Sequence, residues 1–134
     1  MRQRLDAAAA CPCGAGCYAD CCGRFIEQGA LPQTAQELMR SRYSAYVLQD
    51  EVYVRTSWYP RTLPEGRLTA TEPGMKWLGL AVKHHVENGD AATVEFVARY
   101  KIGGRAHRLH EVSRFVREEG RWYYLDGSFP GEEK

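Results

Sequence analysis

Leu38, Met39, Arg42, Tyr43, Tyr46 and Val47 recur at three- and four-residue spacings, the repeat of one face of a helix. Thr34-Ala35-Gln36-Glu37 precedes them all as a capping box, so the pattern predicts a helix over about 35–49 whose aromatic residues pack on a sheet. A second, short helix is expected over 51–57, closed by Trp58-Tyr59-Pro60, because proline disfavours continuation and restricts the residue before it. Pro60, Pro64, Gly66, Pro73 and Gly74 then punctuate an irregular crossover over 60–75 with at most one helical turn. From Lys76 the period becomes two: Val94, Phe96, Ala98, Tyr100 and Ile102 alternate with Thr93, Glu95, Arg99 and Lys101. Four antiparallel strands follow, near 76–87, 92–102, 105–118 and 121–125, with turns at Asn88-Gly89-Asp90, Gly103-Gly104 and Glu119-Gly120. Helices first and a four-stranded meander afterwards define an α+β domain in which a curved sheet wraps helices.

The 134 residues suit one compact domain with a small appendage and exclude a multidomain machine. At 44% hydrophobic and 26% charged, the chain is too apolar to be disordered. A net charge of +1 lacks the wholesale basic excess of a typical nucleic-acid binder but permits a local basic face. No apolar run approaches the roughly 18 residues that a membrane helix needs. Arg2 and Arg4 before Ala7-Ala8-Ala9-Ala10 faintly resemble an export leader, but Asp6 interrupts the stretch and four alanines stand where about 7–15 apolar residues are required. A cytoplasmic protein is therefore expected.

All five cysteines lie between positions 11 and 22. Disulfides there would close loops of only a few residues and leave one thiol over, whereas two thiolate pairs joined by a short turn suit a tetrahedral metal. Cys11 and Cys13 straddle a proline, and Gly14-Ala15-Gly16 lets the chain reverse so that Cys21 and Cys22 can meet them. Cys11, Cys13, Cys21 and Cys22 are the expected ligands of one structural zinc, with iron the other conceivable metal. Cys17 is most simply a bystander, although nothing in the spacing forbids its replacing a neighbour. The bland alternative is a patch of small buried residues. Arg24 would either offset the anionic site, as by donation to a sulfur, or be a solvated arginine. The segment is similar to the SEC-C motif, the zinc-binding tail of the SecA translocation ATPase, with pattern Cys-x-Cys, eight residues, then Cys followed by Cys or His. Seven residues separate Cys13 from Cys21 here, a one-residue deletion before Tyr18 that keeps both Cys21 and Cys22 as ligands.

A wider resemblance runs over about residues 11–129. It is carried by Leu38-Met39-Arg40-Ser41-Arg42-Tyr43-Ser44-Ala45-Tyr46, Trp58-Tyr59-Pro60, Trp77-Leu78-Gly79-Leu80, Val94-Glu95-Phe96, His110-Glu111-Val112-Ser113-Arg114-Phe115 and Gly120-Arg121-Trp122-Tyr123-Tyr124-Leu125-Asp126-Gly127. These strings resemble the bacterial YchJ-like family, which joins a SEC-C motif to a cone-shaped domain of the nuclear-transport-factor-two-like (NTF2-like) fold. The resemblance implies a zinc knuckle with its linker over 1–30 and an NTF2-like domain over 31–134. That family commonly has Trp-His-Pro where this chain has Trp58-Tyr59-Pro60, so a mechanism needing that histidine would be lost here.

Cone folds often hold a cavity between sheet and helices, but fold alone does not assign chemistry to it. Titratable candidates are His84, His85, His107, His110, Glu111 and Asp126, with Arg40, Arg42 and Arg114 as anion ligands. The expected pocket set is Arg42, Trp58, His110, Glu111, Arg114 and Asp126. Adjacent strand residues point to opposite faces, so His110 and Glu111 cannot share a pocket on a regular strand. The His110 face continues through Val112, Arg114 and Val116, and the Glu111 face includes Leu109, Ser113 and Phe115. Both mix polar with apolar residues, and which is interior stays open. Asp126-Gly127 reads as turn chemistry before it reads as a rim carboxylate. Only one of Arg40 and Arg42 is expected to face the sheet, where pairing with a buried carboxylate such as Glu111 is favoured over binding a small anion.

Residues 99–117 hold six basic side chains, Arg99, Lys101, Arg105, Arg108, Arg114 and Arg117, against Glu111 alone. They form either a solvated face that blunts edge pairing or a contact for RNA, a ribosomal surface or an acidic protein. With no convergent acid and base visible, the leading expectation is a non-enzymatic interaction or adaptor protein, tied to translation or protein export through the resemblance to the SecA tail, which contacts a chaperone and the ribosome. The first alternative is a small-molecule-binding or enzymatic cone using Glu111, His110 or Asp126, which a cavity filled by Trp77, Trp122 and tyrosines would exclude. RNA contact through the basic hairpin is the second.

Overall fold

The computed structural model describes residues 3–70 and 73–130. After a 3-10 turn at Tyr18–Asp20, the chain forms α1 (Gly23–Ile26), α2 (Ala35–Leu48) and α3 (Glu51–Thr56), then β1 (Lys76–Asn88), β2 (Ala91–Ile102), β3 (Arg105–Glu118) and β4 (Arg121–Ser128). The strands form one antiparallel sheet in the order β1-β2-β3-β4. Gly103 and Gly104 both have positive φ, 57° and 82°, which two-residue hairpin turns of this hand demand and other residues resist. The segment 60–70 contains no helical turn.

The expected cap on α2 is present: Thr34 Oγ1 accepts from Glu37 N–H at 3.1 Å, and Glu37 Oε1 accepts from Gln33 N–H at 2.8 Å. The first turn is also tied to the sheet, because Ala35 N–H donates to Glu87 of β1 at 3.1 Å. Gln49, in the left-handed region at φ 60°, ends the helix, and Asp50 caps α3 by accepting from Tyr53 N–H at 3.0 Å.

α2 is buried on nearly every side: Leu38, Met39, Tyr43, Ala45 and Leu48 enter the core, and so do Ser41, Arg42 and Ser44. Toward the sheet, Tyr43 meets Trp77 edge to face at 5.7 Å. Toward α3, Ser41 and Tyr53 share a 2.6 Å hydrogen bond between hydroxyls. Toward the cysteine segment, Ser44 Oγ lies 3.6 Å from Cys11 Sγ, and Arg40 donates to the Cys13 carbonyl at 3.2 Å. Cys11, Cys13, Tyr18 and Cys22 therefore belong to the same hydrophobic core as Leu38, Val94, Phe96, Phe115 and Trp122.

The crossover after α3 is held by two devices. Glu51 accepts from Leu68 N–H at 2.9 Å, and from Thr69 N–H and the Thr69 hydroxyl, each at 2.9 Å. Residues 57–62 lie along the outer edge of β4: Tyr124 N–H donates to Ser57 O at 2.9 Å, Tyr59 N–H to Tyr124 O at 2.8 Å, and the Thr62 hydroxyl to Leu125 O at 2.7 Å. The opposite edge, β1, pairs with no further strand among the described residues and carries register shifts between Trp77 and Gly79 and between Val82 and His84.

Candidate functional site

Two sites emerge on opposite sides of α2. In the first, the chain doubles back through a bridge between Ala10 and Cys17, with Cys11 N–H donating to Gly16 O at 2.7 Å and Tyr18 N–H to Ala9 O at 2.8 Å. Gly14 N–H donates to Cys11 O at 2.9 Å, closing the turn that carries Cys11 and Cys13. The 3-10 turn then delivers Cys21 and Cys22 to the start of α1. No Cβ fits at Gly23, because it would stand 2.6 Å from the Tyr18 carbonyl oxygen, and this close approach keeps the second pair against the first.

The sulfurs of Cys11, Cys13, Cys21 and Cys22 lie within 4.8 Å of one another, with Cys13 and Cys21 at 3.5 Å. A tetrahedral site with metal–sulfur bonds of about 2.3 Å has sulfur–sulfur edges of about 3.8 Å, so the cluster matches a four-thiolate metal site in size and donor type. The protons also favour such a use. Hydrogen bonds from Cys13 and Cys22 pull the Cys11 thiol far below its ordinary pKa, the contact with Cys11 drives Cys22 far up, and burial followed by the contact with Cys13 pushes Cys21 up to about 12. Four thiols this close cannot all ionise unaided, and a dication would supply the missing charge. Cys17 is exposed and its thiol meets Ala7 O at 3.2 Å. Arg24 donates to the Cys21 carbonyl at 2.9 Å and stacks over Phe25, so it steadies the knuckle's backbone without reaching a sulfur. All five cysteines are unbridged.

The second site is a cavity of about 370 Å³ between α2 and the concave sheet face. Arg42 and Tyr46 of α2, Trp58, Trp77 of β1, Glu111 of β3 and Tyr124 of β4 line it with apolar residues, and Phe129, 37% exposed, also borders it. The Glu111 face of β3 is thus the interior one. Arg42, only 5% exposed, donates through Nη1 to Val54 O at 3.0 Å and Ser57 Oγ at 2.7 Å. Its guanidinium lies over Tyr124 at 4.3 Å and Trp58 at 4.9 Å. Desolvation lowers its pKa, but an arginine stays charged. Glu111, 7% exposed, accepts at Oε2 from the Ser113 hydroxyl at 2.7 Å and the Tyr124 hydroxyl at 2.8 Å. Burial first, and then the neighbouring Glu111, raise the Tyr124 pKa well above its ordinary value and keep the phenol a donor. A Cβ at Gly127 would fall on the Glu111 carboxylate, so glycine is what admits this side chain.

The expected pairing of Arg42 with Glu111 is not made: the arginine is satisfied by a carbonyl, a hydroxyl and aromatic faces instead. Arg42, Trp58 and Glu111 come together around the cavity, whereas His110, Arg114 and Asp126 do not line it. His110 Nε2 meets Glu95 at 2.7 Å, and Arg114 grips Asp126 with two 2.6 Å hydrogen bonds. Those bonds hold the Asp126 carboxyl below its usual range. Nor is Asp126-Gly127 a turn, because β4 continues to Ser128. Arg114 pairs with Asp126 and Phe115 with Tyr124, which leaves Leu125 as an extra residue in β4. This bulge turns Asp126 away from the face that strict alternation would give it and sets Gly127 against Glu111. Tyr59 points elsewhere too, donating to Glu118 at 2.7 Å. Sequence reasoning missed Tyr46, Tyr124 and Gly127 as parts of the site. Trp77 and Trp122 do not fill the cavity.

Together, the fold and the cysteine cluster define a class: an N-terminal knuckle of SEC-C type joined to an NTF2-like α+β domain. Residues 34–127 match the family model described as YchJ, middle NTF2-like domain. A UPF0225 protein of Ralstonia nicotianae is 58% identical over 130 residues, covering 89% of this chain and 90% of the relative. One from Chromobacterium violaceum is 52% identical, covering 95% of this chain and 98% of the relative. The solution structure of a SEC-C motif containing protein from Rhodopseudomonas palustris, 33% identical, superposes with a TM-score of 0.78 over 90% of this chain and 98% of that one. A crystal structure of a SEC-C motif containing protein from Psychrobacter arcticus, 26% identical, gives 0.75 over 98% of this chain and 88% of that one. The chain belongs to the YchJ-like family, whose bacterial relatives bear the name UPF0225. No helix among the described residues is long and apolar enough to cross a membrane.

Proposed function

We propose that this protein binds a small molecule in its cone cavity and that a structural zinc in the knuckle braces the helix on which the cavity is built. The observation that carries this reading is the convergence of buried Arg42 and Glu111 on one open cavity without pairing with each other. Cys11, Cys13, Cys21 and Cys22 would hold the zinc; four thiolates leave no open coordination position, so its role is to organise. Unbridged thiols suit the reducing cytoplasm. Isothermal titration with indole, a neutral probe of the apolar cavity, tests the reading. Wild type should bind, and Leu109→Trp, which fills the cavity, should lose binding while keeping its Tm. Equal binding by the two proteins, or none by wild type, would refute it.

A second reading keeps the adaptor role, with a protein, ribosomal or RNA partner in translation or export. Its support is the outer sheet face, where Arg99 stands directly opposite Arg108 and Lys101 opposite Lys76. These four cations are exposed and make no ion pair among the described residues.

A further inference from the structure

The chemistry of the cavity narrows what it takes, if it is a ligand site as proposed above. Arg42 commits Nη1 to Val54 and Ser57, while its Nε and Nη2 hydrogens meet no acceptor among the described residues. Glu111 commits Oε2 to Ser113 and Tyr124, while Oε1 accepts from no described residue. Tyr124 spans the two: its ring lies 4.3 Å from the Arg42 guanidinium carbon and its hydroxyl donates to Glu111. One wall of the cavity therefore presents free donors on a cation and a free acceptor on a carboxylate, and it is neutral as a whole. A plain carboxylic acid would suit Arg42 but bring a second anion beside Glu111. A plain amine would suit Glu111 but add a cation beside Arg42. A head group carrying both charges answers each side without burying a net charge. The remaining lining, Met39, Phe96, Ala98, Leu109, Phe115 and Phe129, asks for an apolar body, and a volume of 370 Å³ suits a molecule of about 10–15 non-hydrogen atoms.

We propose that the cavity binds an α-amino acid with a large apolar side chain, its carboxylate on Arg42 and its ammonium on Glu111. The probes are L-phenylalanine, L-tryptophan and L-leucine, with 3-phenylpropanoate lacking the ammonium and 2-phenylethylamine lacking the carboxylate, all titrated calorimetrically against the metal-loaded full chain. At least one amino acid should bind, and both truncated compounds should bind about tenfold or more weakly than phenylalanine, each having lost a charge-assisted contact. Arg42 also ties α3 in place, so the informative variant is Glu111→Gln, which keeps acceptors for Ser113 and Tyr124. It should weaken amino-acid binding about tenfold and leave 3-phenylpropanoate no weaker than before. Equal binding of phenylalanine and its truncated analogues, or unchanged amino-acid binding by E111Q, would overturn the assignment. Indole binding without any amino-acid binding would sink the zwitterion while sparing the cavity reading; failure of indole as well would sink both.

Discussion

Single residues do the holding in this molecule where regular structure is thin. Glu51 shows it best: hydrogen bonds from Leu68 N–H, Thr69 N–H, the Thr69 hydroxyl and Arg55 outweigh desolvation and bring its pKa from 4.5 down to about 2. A carboxyl with a depressed folded-state pKa adds stability that is fully present above the unfolded value and is lost as pH falls through the folded one. The contribution of Glu51 should therefore fade between about pH 4.5 and 2. Glu51→Gln should cost about 1–2 kcal/mol at pH 7 and flatten the acid limb of the urea-denaturation profile. An acid limb of unchanged steepness would show that the crossover is held by something else. Gly127 acts at the same scale by what it lacks, since the site carboxylate occupies the space of its missing side chain.

At the scale of elements, α2 is shared property. Its buried Ser44 and half-buried Arg40 meet the knuckle, its Ser41 meets α3, and its Arg42 enters the cavity. Cys13→Ser should remove the metal, read as loss of one zinc per chain by native mass spectrometry, and lower stability by about 3 kcal/mol, or roughly 10 °C in Tm. Full zinc content with an unchanged Tm would contradict the four-thiolate assignment. The long elements were legible in the sequence because their signals are local: the Thr34 cap and helical spacing for α2, and alternation between glycine turns for the strands. Tyr18–Asp20 and α1 were not foreseen, being too short to show a period. The interior face of β3 was not legible either. Glu111 and Ser113 sit inside while Val97, opposite His110 on the outer face, is also buried, so polarity did not separate the faces. Asp126 was read as the start of a turn, whereas β4 runs on through it and the bulge at Leu125 shifts its face. The cysteine cluster needed no long-range information, since its four members lie within residues 11–22.

Over the whole molecule, the two faces of one sheet differ in chemistry, with the cavity on the concave side and, on the other, cations that make no ion pair among the described residues. A phosphate backbone binding those cations must release counterions and weaken steeply with salt. A fluorescent single-stranded RNA should therefore bind more weakly as salt rises, and reversing Arg99 and Arg108 to Glu should cut its affinity about tenfold or more. Salt-independent binding, or equal affinity in the reversed variant, would eliminate this face as an RNA contact. The sheet's two margins also differ. The middle of β4 is already hydrogen-bonded by residues 57–62, while the outer edge of β1 pairs with no described strand. Stacking copies by strand addition into a fibre requires two free margins on each copy. With the middle of β4 occupied, the less obstructed partner for β1 is another β1, and that antiparallel meeting uses up the free margin of both chains. Blocking the middle of one margin thus biases edge-to-edge contact toward a closed pair and away from filaments.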